Sequence, residues 1–441
     1  MTAEIAQPGL ADLATLADPA VIANPYPLLA RLRAASPFTE LDGALVVFGR
    51  YDQCSRILRD PRASSERERS RLAPRDVDPG GRPPGAPRDA DPGERPPGAP
   101  RDANPGGRAR SFLSLDPPDH TRLRRLVASA FTPRVVATLA PRVTHITQEL
   151  LTEVAGNELE LVSQLAYPLP VRIISELLGV PPEDHSRFAG WSARLAHSVQ
   201  PSFGTLDPAE RAAAEEAALE FGEYFTELIA TRRERPADDL LTKLIAAEDA
   251  GDRLTLEELI ATCVLLLVAG HETTVGLISN AMLALLRSPA QFAELAANPA
   301  LAADAVEETL RYDPPVQLTG RVARRGFTID DIEPADGAVM LLLLAATGRD
   351  PAVFADPDVF DIRRGAREHL AFAAGPHFCL GAPLARLEAT IALRTLALRL
   401  SGPVLDESAL AYKPNFNLRG PERMVVRFDQ IRPVTQRLTG D

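Results

Sequence analysis

Lysine and cysteine are nearly missing from this chain. Only Lys243 and Lys413 occur in 441 residues, against 48 lysines and arginines together, so almost every positive charge is an arginine. The cysteines are Cys54, Cys263 and Cys379, widely spaced and without a zinc-type CxxC pair. That excludes a disulfide framework and a structural zinc site and fits a reducing compartment. The net charge is −12, so clustered positive charge for phosphate contacts is lacking and nucleic acid is excluded as a general partner. A long apolar run is missing as well. The longest, Leu259 to Gly270, holds about twelve residues, too few to span a bilayer, and His271 and Glu272 end it. The first twenty residues carry acids and prolines where an export signal needs a basic start and an apolar stretch. The expected location is the cytoplasm, with no membrane anchor.

What is present is enough apolar sequence, 45% of residues, for a large core. One domain over 1–441 is expected, interrupted at about 66–111. There "APRDVDPGGRPPG", "APRDADPGERPPG" and "APRDANPGGRARS" repeat with a period of thirteen. These units are rich in proline and glycine and have no face to bury, so the segment reads as a flexible insertion that folding does not need. Before it, "FTELDGALVVFGR" reads as a hairpin about Asp42-Gly43. After it, helical patterns cover His120 to Phe131, Pro133 to Ala155, Pro168 to Leu178 and Pro208 to Arg233. A longer helix starts at the capping box Thr255/Glu258 and stops at Ser288-Pro289, roughly 50 Å of helix. "GAVMLLLLAA" and "ERMVVRF" read as strands. The fold class is mainly helical with minor sheet.

Three short stretches call for more than packing. A lone cysteine is first of all a small buried hydrophobe, but Cys379 lies among Gly375, His377 and Gly381 just before a helix. "AGHETT" puts a glycine, a carboxylate and two hydroxyls in the middle of the long helix, where glycine and a buried acid both cost stability. "ETLR" sets Glu308 and Arg311 one turn apart, with Pro314 ending their helix. A fourth stretch, "HTRLRRLVASAFTPR", gathers arginines that first suggest a solvated face.

Together these stretches resemble the cytochrome P-450 superfamily, the haem-thiolate monooxygenases, in its soluble bacterial form. "FAAGPHFCLG" resembles the cysteine loop, "AGHETT" the oxygen-activation segment, "ETLR" the Glu-x-x-Arg signature and "DPPDHTRLRRLV" the helix along one haem edge. Ala373 stands where the family often has a second glycine. The resemblance implies a large helical domain with a long central helix and a small β-rich region, binding haem b. Cys379 is the implied axial ligand of the iron, in a loop with Phe372, Gly375 and Gly381. A thiolate ligand favours O–O cleavage, and Gly375 and Gly381 are expected to allow the tight turns that aim N–H groups at the sulfur. His120, Arg124, Arg321 and His377 are implied partners of the two propionates. Glu272 and Thr273 are implied to deliver protons to bound O2, with Ala269 and Gly270 widening a groove for it. Arg364 completes a structural triad with Glu308 and Arg311. His271 has no role in that reading and is expected to face solvent or to pack.

The resemblance further implies insertion of one oxygen atom of O2 into a small molecule. No flavin or nicotinamide domain is attached, so electrons come from NAD(P)H through a ferredoxin or flavodoxin and its reductase. The expected docking face carries Arg122, Arg124, Arg125 and Arg134. Leu265, Ala269, Val316, Leu318 and Phe416 are expected to line a pocket for a lipophilic substrate. Two rival activities stand beside this one. A peroxygenase is disfavoured by Glu272, and a haem-binding sensor by the Glu272-Thr273 pair.

Overall fold

The computed structural model describes residues 9–72, 111–196, 208–249 and 254–433. Most of the repeat, 73–110, lies outside the described residues; its expected first residues, 66–72, form a short 3-10 turn, and Arg71 N–H donates to Gly337 O at 2.8 Å. Five helices position the site: α1 (Asp119–Ala128), α2 (Pro168–Leu178), α3 (Leu256–Leu286), α4 (Ala302–Tyr312) and α5 (Ala382–Arg399). The main sheet has β1 (Phe38–Glu40), β2 (Leu45–Phe48), β3 (Ala63–Ser64), β4 (Thr319–Ala323) and β5 (Val339–Leu342), in the order β1-β2-β5-β4-β3. The hairpin is as expected: β1 and β2 pair antiparallel, and Asp42 and Gly43 at the turn have φ of 51° and 84°.

The helix expected over Pro133–Ala155 is two helices, Pro133–Ala137 and Ala140–Thr152. Pro141 is the reason, since it has no N–H to continue the first ladder and starts the second helix instead. Both late strands are shorter than expected. Leu344–Thr347 turns into a helix after β5, and the second is split into Pro421–Arg423 and Val425–Arg427.

The capping box at α3 is formed: Glu258 N–H donates to Thr255 Oγ1 at 3.2 Å, and Thr255 N–H donates to Glu258 Oε2 at 3.0 Å. By length and composition α3 passes as a membrane span, yet 20 of its 31 residues are buried within the protein. It is the central core helix, packed on α2, α4 and α5. Two smaller apolar clusters flank it. One surrounds Phe48, Met340, Leu370 and Ala374, the other Leu29, Leu32, Leu318 and Leu341.

Candidate active site

Cys379 sits in the turn that leads into α5, with Gly381 as the N-cap. Its own N–H donates to Phe372 O at 2.9 Å, closing the loop. Gly375 is required for conformation: φ is 68°, and a Cβ would stand 2.4 Å from Leu58 O. Gly381 departs from the expected reason. Its φ is −79° and a Cβ there would meet no neighbouring atom within 4 Å, so neither a left-handed backbone nor close packing requires a glycine. Ala373, at the family's glycine position, has φ of 58° and carries left-handed strain. Burial pushes the Cys379 thiol above its ordinary value. The Gly381 N–H, Arg124, the Ala382 N–H and Arg386 all work in the other direction. A bound metal ion would finish that deprotonation.

Beside the loop lies a cluster of four bases with one acid, Asp116, near them. The His120 ring on α1 is 4.2 Å from the His377 ring, and neither His120 nitrogen has a hydrogen-bond partner although the side chain is 2% exposed. Arg124, one turn on, donates to Phe378 O at 2.5 Å. Arg321 on β4 is buried and, among the described residues, donates only to Gly320 O at 2.8 Å and to Thr319 Oγ1 at 3.4 Å. Burial, with Arg67 adding to it, pulls Arg321 down to about 10 despite Asp116. Burial, Arg321, His120 and Arg124 together pull His377 down to about 3. Four bases that disfavour one another's charge fit a ligand bearing carboxylates, which is what the two haem propionates present. On this count the residues fit haem.

The middle of α3 carries the second candidate segment. Leu265, Ala269 and Thr273 recur every four residues; Ala269 is exposed and the others half-buried, while Leu266, Leu267, Val268 and Thr274 are buried. Thr273 Oγ1 donates to Ala269 O at 3.0 Å, and Thr274 Oγ1 to Gly270 O at 3.1 Å. Gly270 faces α2, where a Cβ would meet Ile174 at 3.3 Å, so it allows close helix packing. Glu272 turns sideways to Lys413, whose Nζ donates to Oε2 at 2.5 Å, while His271 Nε2 stands 3.6 Å from Oε1. Burial raises the Glu272 carboxyl, but His271 and Lys413 outweigh it and bring it down to about 2. His271 is 1% exposed, so the solvent-facing alternative is wrong: Nδ1 is 2.7 Å from Leu267 O, which makes it a donor, and the ring lies edge-on to Tyr167.

The remaining residues divide. Glu308, Arg311 and Arg364 meet as expected: Arg311 contacts both Glu308 oxygens at 2.7 and 2.8 Å, and Arg364 Nε donates to Oε1 at 3.2 Å. Arg122, expected on a docking face, instead pairs with Glu258 at the start of α3 at 2.5 Å. Arg125 and Arg134 are exposed. Val316 packs against the apolar cluster around Phe48 and Met340 that also includes Ala374 of the cysteine loop. Leu318 and Phe416 belong instead to the cluster under the N-terminal helices, around a small cavity lined by Leu16, Ile22 and Arg419. Lys413, Glu307, His369 and Arg386 were not marked by sequence, because their partners lie 62 to 141 residues away along the chain.

A thiol at a helix N-terminus, a basic cluster suited to carboxylates and an acid–hydroxyl pair on the central helix are what a haem-thiolate oxygenase would require. The Cytochrome P450 family model matches residues 205–409. The ligand-free structure of CYP164A2 from Mycobacterium smegmatis has a TM-score of 0.83 and 43% identity, covering 95% of this chain and 99% of that one. The cytochrome P450 monooxygenase PikC of Streptomyces venezuelae is 39% identical over 98% of this chain and 97% of its own. The vitamin D(3) 25-hydroxylase of Pseudonocardia autotrophica is 38% identical over 91% and 93%. The chain belongs to the cytochrome P450 family, and it is a haem-thiolate monooxygenase.

Proposed function

We propose that this enzyme hydroxylates or epoxidises a lipophilic small molecule in the cytoplasm, with electrons from NAD(P)H through a ferredoxin or flavodoxin and its reductase. The carrying observation is the basic cluster of His120, His377, Arg124 and Arg321 beside Cys379, in which both His120 nitrogens lack a partner. Haem held there by Cys379 supplies dioxygen activation. The Gly381 and Ala382 N–H groups and Arg124 oppose the burial that disfavours the thiolate, and would support it once the iron is bound. Thr273 presents its hydroxyl on the face shared with Leu265 and Ala269, where it can donate a hydrogen bond to a bound oxygen. Glu272, ionised beside Lys413, accepts protons from water and passes them toward Thr273. The Leu265 and Ala269 face is apolar, which favours an apolar substrate. Exposed Arg125, Arg134 and Phe378 offer an acidic electron carrier a basic surface with an apolar centre.

Thr273→Ala tests the assignment. Substrate binding and NAD(P)H consumption persist, while product per NAD(P)H falls and peroxide rises. Unchanged coupling removes Thr273 from the proton route, and NAD(P)H consumption indifferent to any substrate favours a sensor.

A further inference from the structure

Glu307 precedes the triad carboxylate on α4 and is 4% exposed. Both its oxygens are engaged. Arg386 on α5 donates through Nε to Oε1 at 2.6 Å and through Nη2 to Oε2 at 3.0 Å, and His369 Nε2 lies 3.2 Å from Oε2. Ala371 N–H donates to His369 Nδ1 at 3.3 Å, so the ring proton sits on Nε2 and points at Glu307. His369 opens the cysteine loop, and Arg386 lies just beyond its end. One buried carboxylate therefore holds both flanks of the segment that carries Cys379.

The restraint reaches the sulfur by two short routes. The Arg386 guanidinium lies 4.6 Å from the centre of the Phe372 ring, and the Phe372 carbonyl accepts the Cys379 N–H. His369 lies 5.9 Å from that ring on the same loop. Between the flanks, Ala373 and Gly375 both have left-handed backbones, with φ of 58° and 68°. Such a loop holds its shape only when its surroundings impose it. Arg386 also adds positive potential at the sulfur, and Glu307 partly offsets that charge.

We propose that Glu307 is a positioning residue of the thiolate centre: it clasps both ends of the cysteine loop and, through Arg386, sets the positive potential the thiolate feels and hence the reduction potential of the iron. The inference rests on Cys379 being the haem ligand, which the reduced carbon monoxide spectrum of the wild-type holoenzyme checks separately through its red-shifted Soret band. With that band present, four holoenzyme variants decide the inference by redox titration and by the rate at which the band is lost on warming. Glu307→Gln preserves the shape but removes a negative charge, so the midpoint potential rises. Arg386→Gln removes a positive charge, so it falls. Arg386→Lys stays near wild type.

Opposite signs are the deciding readout, because a purely structural role shifts both neutral variants in the same direction. Glu307→Asp retains the charge but shortens the reach, so the potential holds while the band decays about tenfold faster, the loss of one charged hydrogen bond. If Glu307→Gln does not load haem, the Arg386→Gln and Arg386→Lys pair still reads the sign. Shifts of equal sign, an unmoved potential in Arg386→Gln, or wild-type decay in Glu307→Asp each overturn the proposal.

Discussion

Arg311 and Arg321 stand ten residues apart, both withdrawn from water, in opposite surroundings. Arg311 meets two carboxylate oxygens of Glu308 and the carbonyls of Gly348, Pro357 and Val359, all at 2.7–2.9 Å. Its charge is neutralised inside the protein. Arg321 meets one carbonyl and one distant hydroxyl; Asp116 acts on it without a hydrogen bond, and Arg67 repels it. A buried charge without a partner is costly, and a chain retains it where a ligand completes it. The first arginine locks α4 to the loops before the cysteine segment; the second waits for an anion.

The largest effect comes from breaking the completed group. Arg311→Met leaves the buried Glu308 carboxylate with Arg364 as its one counter-charge beside the Asp361 N–H, and costs about 3–5 kcal/mol, whether or not haem is present. Chemical denaturation of haem-free and haem-loaded protein measures it, and a loss confined to the loaded form contradicts the comparison. Arg321→Gln sharpens the other side. Haem-free stability holds or rises, while haem leaves for a competing apoprotein about tenfold faster or more, the worth of one charged hydrogen bond.

Acidity separates the two groups further. Burial and neighbouring cations hold His377 near 3 in the folded protein, below its ordinary 6.5, so the unfolded chain binds more protons between those values. Stability of the haem-free protein therefore falls as pH drops from about 6.5 toward 3, by up to about 2 kcal/mol at pH 5. His377→Gln flattens that slope, and so does haem, whose carboxylates favour protonated histidine. Glu272, held at about 2 against an ordinary 4.5, contributes stability that is full above 4.5 and is lost progressively as pH falls from 4.5 to about 2. The two windows are distinguishable in a pH series of unfolding curves. The smallest effect is Ala373→Gly, which relieves the left-handed alanine in the loop that presents His377 and raises stability by about 1 kcal/mol in thermal unfolding.

Much of the site was legible because its signals are local. Thr255 and Glu258 cap α3 across three residues, Glu308 and Arg311 pair across three, and His120 and Arg124 share a face one turn apart. Pro141 was equally local, and its power to split a helix was underestimated. For His271 the sequence leaves solvent and packing both open, and only the fold decides for packing, with Tyr167 against the ring and Leu267 O satisfying Nδ1. Leu318 and Phe416 show the same limit, since apolar character says that a side chain is buried but not in which cluster.

By itself the sequence determined the helical class, the capped central helix, the thiol among glycines, and the residues whose spacing suits one helical turn. Those are consequences of backbone geometry and side-chain chemistry within a few positions. Only the tertiary structure decided that Lys413 meets Glu272, that Arg122 turns to Glu258, and that Glu307 joins His369 to Arg386. Ion pairs act through space over a few ångströms, and the chain brings such groups together only when its core has closed around them.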